Sequence, residues 1–130
     1  MNNTLLDRLS GDNTAMGTVC VLGTESVELA GEAHFDFVLV DWQHGNFNRD
    51  LMREAVRALD ATSCHAMARP PSHDDYLLQW LLDMGYQSLL VPMVNTAEQA
   101  RALVQASYYP PVGQRSQASC HSWFKTDEES

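Results

Sequence analysis

Residues 35–47, FDFVLVDWQHGNF, change character halfway along. From Phe35 to Val40 every position but Asp36 is apolar, the composition of a strand covered on both faces, as strands of a parallel sheet are. Asp41, Gln43 and His44 follow directly at the carboxyl end of that strand. In parallel α/β folds that edge gathers the ligand-binding groups.

The flanking sequence repeats the same alternation. Gly17 to Leu22 (GTVCVL) reads as a short strand and Thr24 to His34 as a short helix despite Gly31. After the strand from Phe35 to Trp42, Asn48 caps a helix whose apolar residues Leu51, Met52, Ala55, Val56 and Leu59 recur at helical spacing to about Thr62. His65 to Arg69 (HAMAR) is a third strand, ended by Pro70-Pro71, because prolines cannot donate to a ladder and push the residue before them toward extended backbone. Ser72 with Asp75 resembles a capping box, opening a helix through Leu77, Leu78, Leu81 and Leu82 that stops at Gly85. Ser88 to Val94 (SLLVPMV) is a fourth strand, and Asn95 or Thr96 with Glu98 starts a fourth helix through Ala100, Leu103 and Val104. Strand and helix alternating in this way predict a parallel α/β sheet, with Phe35 to Val40 and Leu89 to Val94 central to its core. Residues 1–15 read as a polar lead-in and 16–116 as the folded unit. Residues 117–130 read as a tail, polar apart from Trp123 and Phe124, and expected to be mobile or borrowed by a partner.

The chain carries 17 acidic against 8 basic residues, a net charge of −9, so no nucleic acid is expected as a partner. No stretch approaches the roughly 20 apolar residues of a membrane span, and Met1-Asn2-Asn3-Thr4 lacks the features of a signal peptide. A cytoplasmic protein with no membrane partner is the expectation. Cys20, Cys64 and Cys120 are far apart and form no CxxC pair, which fits reduced thiols.

The candidate chemistry sits at three strand ends: Asp41 with His44 after the second, Arg69 at the third, Pro92-Met93 at the fourth. A carboxylate near an imidazole fixes its tautomer and raises its basicity, while a guanidinium fork holds the carboxylate and oxyanion of a keto acid. Each residue also has a plainer reading: His44 as a solvated loop histidine, Asp41 as a cap, Arg69 as an ion-pair arginine. The spacing alone leaves both open.

"GTVCVLGTESVELAGEAH", "FDFVLVDWQHGNF" and "ARPPSHDDYLLQWLLDMGYQSLLVPMVNTAEQARALVQASYYPPVGQRS" together resemble the amino-terminal half of the HpcH/HpaI aldolase family, metal-dependent class II pyruvate aldolases, over about Met16 to Ser116. The motifs are Asp-x-x-His after the second strand, Arg-Pro after the third, Leu-Val-Pro-Met-Val on the fourth, and Tyr-Pro-Pro-x-Gly-x-Arg after the fourth helix. The resemblance implies an α/β fold of the (β/α)8 TIM-barrel type, here truncated to about four βα units, a half-barrel. It implies carbon–carbon cleavage or formation between a 2-oxo acid, pyruvate, and an aldehyde, through an enolate stabilised by a divalent metal such as Mg2+, Mn2+ or Co2+. In that scheme His44, supported by Asp41, is the acid/base. Arg69 holds the keto-acid oxygen, with Gln43 and Met93 expected beside the substrate.

The chain departs from the family pattern in having Gln43 where an acidic residue is usual, and Gly113-Gln114-Arg115-Ser116 in place of Gly-x-Arg-Gly. The family's metal-binding Glu and Asp lie on later strands, and a full barrel takes about 250 residues, so no metal ligand is assigned to this chain. The open strand edges call for a cover, whether a second copy, a sheet that flattens and repacks with its tail, or the remainder of a longer polypeptide, and an oligomer of identical chains is the expectation. Two functional classes follow: an aldolase-type lyase incomplete in this length, or a catalytically silent half-barrel that oligomerises or binds a small carboxylic acid.

Overall fold

The computed structural model describes residues 4–117. Its elements run α1 (Thr4–Leu9), β1 (Gly17–Cys20), α2 (Thr24–Glu32), β2 (Phe37–Asp41), α3 (Arg49–Asp60), β3 (His65–Arg69), α4 (Asp75–Met84), β4 (Ser88–Leu89) and α5 (Ala97–Ser107). The four strands form one sheet in the order β1-β2-β3-β4, every neighbouring pair parallel. Each strand thus returns through a helix to lie beside the one before it, the connectivity of a (β/α)8 barrel over four of its units.

Side chains alternate across a strand, and here the two faces have different fates. Val38, Val40, Ala66 and Ala68 turn toward the helices and join Val27, Met52, Val56, Leu59 and Leu81 in the core, with Val38, Val40 and Ala68 fully buried. Phe37, Leu39 and Asp41, with their register partners His65, Met67 and Arg69, share the opposite, inner face. That face is open enough to leave Val19 at 52% and Leu90 at 46% exposure.

Several element ends differ from the sequence reading. The ladder trims β1 from Gly17–Leu22 to Gly17–Cys20 and β2 from Phe35–Trp42 to Phe37–Asp41, because β1 pairs only from Gly17 opposite Phe37 to Cys20 opposite Val40, and β2 pairs with β3 only from Phe37 to Asp41. Asp36, left before the ladder, accepts from the Met16 backbone N–H (2.7 Å) and pairs with Arg8 of α1 (3.1 Å). The stretch read as a polar lead-in contains α1, anchored through the buried Leu5.

The largest correction concerns the fourth strand. The sequence reading makes Ser88–Val94 a strand with Leu89–Val94 in the core, but only Ser88–Leu89 pair with β3, and Leu90, Met93 and Val94 are exposed. Pro92 has no N–H to give a ladder, Met93 adopts a left-handed φ of 59°, and β4 is an edge strand among the described residues. Asp74, not Ser72, caps α4, accepting from the Leu77 N–H (3.1 Å). Thr96 caps α5 in a reciprocal box with Gln99 instead of Glu98. Gly85 does terminate α4 in the left-handed conformation that glycine adopts without cost.

The Tyr-Pro-Pro-x-Gly-x-Arg motif is a buckle that fastens the chain after α5 onto α4. Arg115 is 9% exposed, pairs with Asp83 at 2.6 Å and lies over the Tyr109 ring at 4.6 Å. The Gln114 N–H meanwhile reaches the Gln105 carbonyl at 2.7 Å. Cys20 and Cys64 are buried and unbridged, and burial pushes the Cys64 thiol up to about 11, so neither is a ready thiolate. No helix of the described residues is long and apolar enough to cross a membrane. Cys120, Trp123, Phe124 and the tail expected around them lie outside the described residues.

Candidate functional site

The register that pairs β2 with β3 sets Asp41 directly opposite Arg69, each the last residue of its strand and each on the inner face. At that separation the guanidinium meets the carboxylate side-on. Arg69 Nε donates to Asp41 Oδ1 at 2.9 Å and Nη2 to Oδ2 at 2.6 Å, a bidentate charge-assisted pair. The chain then turns tightly, and the backbone N–H groups of Gln43 (3.1 Å) and His44 (3.2 Å) also donate to Asp41 Oδ1. One carboxylate therefore holds both the arginine and the loop that carries the histidine.

Glycine at position 45 makes that loop possible. Its N–H bonds the Asp41 carbonyl (3.0 Å), and a Cβ there would run into that same carbonyl oxygen and crowd the Val21 backbone. The Asn46 N–H then bonds the Val21 carbonyl (2.8 Å), tying the loop back to the end of β1. On the helix side, Trp42 packs edge-on against Trp80 at 6.1 Å, and Arg49 lies over the Trp80 ring at 4.5 Å while donating to the Tyr76 hydroxyl at 3.2 Å. This aromatic clasp escaped the sequence reading. Its signal was an aromatic pair four residues apart at the start of α4, with another aromatic just past β2.

Asp41 is 1% exposed and Arg69 28%. The Arg69 guanidinium holds the Asp41 carboxyl below its ordinary value of 3.8, outweighing the opposite push of burial, and the His44 backbone N–H adds in the same direction. Arg69 in turn is driven further up. A carboxyl whose folded value lies below its unfolded one stabilises the fold in full above the unfolded value, and loses that contribution as pH falls through the folded value. The unfolding free energies of the wild type and Asp41→Asn, measured by urea titration from about pH 7 to about pH 3, are expected to converge on acidification. A gap unchanged with pH would mean that the charge of Asp41 is not what stabilises the site.

The sequence candidates fall out as follows. Asp41 and Arg69 are joined directly. His44 is exposed, and its hydrogen bond to Asp41 runs through its backbone, while its ring, which feels the carboxylate's charge, has no hydrogen-bond partner among the described residues. Gln43 touches Asp41 through its backbone N–H. Met93, 70% exposed, lies past β4 on the segment that leaves the ladder.

The divalent metal implied by the resemblance needs several oxygen ligands. Asp41 already accepts from four N–H groups. Among the described residues no three His, Cys, Asp or Glu side chains gather as a metal site. The groups present do not fit such an ion; they fit an anion, since among the described residues Arg69 has Nη1 unengaged, and it faces the open side of the sheet.

The sequence pattern of the HpcH/HpaI aldolase/citrate lyase family matches residues 23–126. A hydroxypyruvate/pyruvate aldolase of Roseobacter denitrificans is 37% identical over 114 residues, which are 87% of this chain and 44% of its own. A 4-hydroxy-2-oxovalerate aldolase of Novosphingobium aromaticivorans is 44% identical over 89 residues, 68% of this chain and 34% of its own. The solved HpcH/HpaI aldolase of Desulfitobacterium hafniense superposes with a TM-score of 0.78 at 28% identity, over 88% of this chain and 45% of its own. The chain thus spans less than half the length of these relatives. With the family pattern matched over most of the chain and the parallel half-barrel reproduced, this polypeptide belongs to the HpcH/HpaI aldolase/citrate lyase family.

Proposed function

We propose that this chain supplies the 2-oxo-acid-gripping part of an aldolase-type carbon–carbon lyase. The observation that carries the proposal is the Asp41–Arg69 pair at the carboxyl edge of β2 and β3, with the guanidinium partly open to solvent. Arg69 offers the keto acid charge-assisted N–H donors for its carboxylate and keto oxygen, and that charge favours an enolate over the neutral ketone. Asp41 fixes the plane of the guanidinium and sets the loop that carries His44. His44, exposed at the same edge, exchanges a proton with the substrate's hydroxyl or carbon. The aldehyde is the second product or substrate.

A second reading, binding of a small acid without turnover, is favoured by the commitment of Asp41 to four donors, which leaves no carboxylate there for a metal. Both readings share the binding step. A homo-oligomer in which a second copy covers the open sheet edges serves either reading.

Pyruvate titration followed at the Arg69 Nε–H by NMR tests the shared step, with propionate as the analogue that lacks the keto oxygen. A saturable shift with pyruvate, weaker with propionate and retained in His44→Ala, is expected. A flat titration, or equal response to both acids, rejects the proposal.

A further inference from the structure

At the amino edge of the sheet, the end away from Asp41 and Arg69, α1 lies against the turns that lead into β2 and β3. These segments enclose a cavity of about 250 Å³, lined by Leu5 and Arg8 of α1, His34, Phe35 and Asp36 before β2, and Ser63 before β3. The carboxylate in that wall is already committed: Asp36 accepts from the Met16 N–H through Oδ2 (2.7 Å) and pairs with Arg8 Nε through Oδ1 (3.1 Å). The polar groups that remain are donors. Among the described residues Nη1 and Nη2 of Arg8, the His34 ring and the Ser63 hydroxyl have no hydrogen-bond partner. His34 also holds a left-handed φ of 61°, which glycine takes freely and a residue with a side chain takes at a cost. Glycine would serve that turn alone; the imidazole adds a donor to the wall.

The directions of the donors restrict what fits. They come from three separate segments, the helix and the two turns. A planar carboxylate is satisfied by one guanidinium fork, whereas a tetrahedral phosphate turns oxygens to several sides and carries a charge of about −1.5 to −2 near pH 7. The cavity is larger than a bare phosphate needs, with the volume of roughly eight waters at ~30 Å³ each, and Leu5 and Phe35 give it an apolar wall. The net charge of −9 opposes an anion at long range, but salt screens that field beyond about 10 Å. Within the cavity Arg8 balances Asp36, so the attraction rests on short-range hydrogen bonds. We propose that this cavity binds the phosphate group of a small phosphate monoester, at the opposite end of β2 from Asp41. The proposal is independent of the aldolase reading, since it uses none of the residues of that site.

The test titrates the full chain, labelled with 15N, with ethyl phosphate, inorganic phosphate and acetate, reading the backbone N–H signals of His34 and Ser63 and the Arg69 Nε–H. Saturable shifts at His34 and Ser63 with half-saturation by ethyl phosphate at or below about 1 mM are expected, with weaker binding of inorganic phosphate, none of acetate, and Arg69 unmoved. His34→Gly, which suits the positive φ, and Ser63→Ala are each expected to weaken binding about tenfold, the scale for one hydrogen bond to a charged group, with circular dichroism unchanged. No saturable shift, a shift centred on Arg69 instead, an equal response to acetate, tighter binding of inorganic phosphate than of ethyl phosphate, or unchanged affinity in either variant overturns the proposal.

Discussion

Replacing Arg69 with methionine is expected to lower the unfolding free energy by about 3 kcal/mol, the scale for stranding one partner of a buried ion pair. Asp41 is 1% exposed and Arg69 28%, so the carboxylate left behind has little access to water. The two backbone N–H groups of Gln43 and His44 still reach Asp41, but they replace neither the charge nor the two short bonds of the guanidinium. Domains of this size are stable by only about 5–15 kcal/mol, which makes such a loss a large fraction of the total. The double variant Arg69→Met/Asp41→Asn removes the stranded charge and keeps an acceptor for the loop. Urea unfolding near neutral pH is expected to return more than half of the lost stability in the double variant. A single-variant loss below about 1 kcal/mol would place Arg69 among surface ion pairs of little consequence.

What the sequence made legible was the part of the fold written in local chemistry. The apolar run of β2 and the spacing of Met52, Ala55, Val56 and Leu59 in α3 announce burial directly, and Val38 and Val40 of the run join all four helix residues in the core, while Phe37 and Leu39 turn to the inner face. Asn48 and Gly85 mark helix ends because one accepts from the Leu51 N–H and the other tolerates a positive φ. The run from Leu89 to Val94 misled because apolarity states what a segment gains from being covered, not whether a neighbour is there to cover it. Position α1 was invisible for the converse reason: Leu5 is buried while Leu6 and Leu9 are exposed, so no hydrophobic stripe is written in its six residues.

The candidate site was legible by edge and not by pairing. Strand ends could be placed from Pro70 and from the polar turn after Val40, which brings Asp41, His44 and Arg69 to one side of the sheet. The offset that sets Asp41 opposite Arg69 belongs to the β2–β3 register, and nothing local encodes it. The sequence reading therefore assigned Asp41 to the histidine, whereas in the fold its carboxylate is spent on Arg69 and on the backbone of the loop. The Arg69 guanidinium, with the His44 N–H, explains the lowered pKa of Asp41, and the four N–H donors around its carboxylate explain its poor fitness as a metal ligand.

From this follows the expectation that the isolated 130-residue chain binds a 2-oxo acid and does not turn it over. Enolate formation from a keto acid needs charge stabilisation beyond a single guanidinium, and a hard divalent cation needs oxygen ligands that the described residues do not gather. In the proposed scheme His44 moves the proton, but a base without sufficient stabilisation of the enolate does little. The measurement that tests this most directly is pyruvate release from a panel of 4-hydroxy-2-oxo acids in the presence of Mn2+ or Co2+, with His44→Ala alongside. The expected result is no release above the buffer rate in either protein, with pyruvate binding retained in both; metal-dependent release by the wild type that His44→Ala abolishes would contradict the account, because the chain would then hold a complete catalytic site.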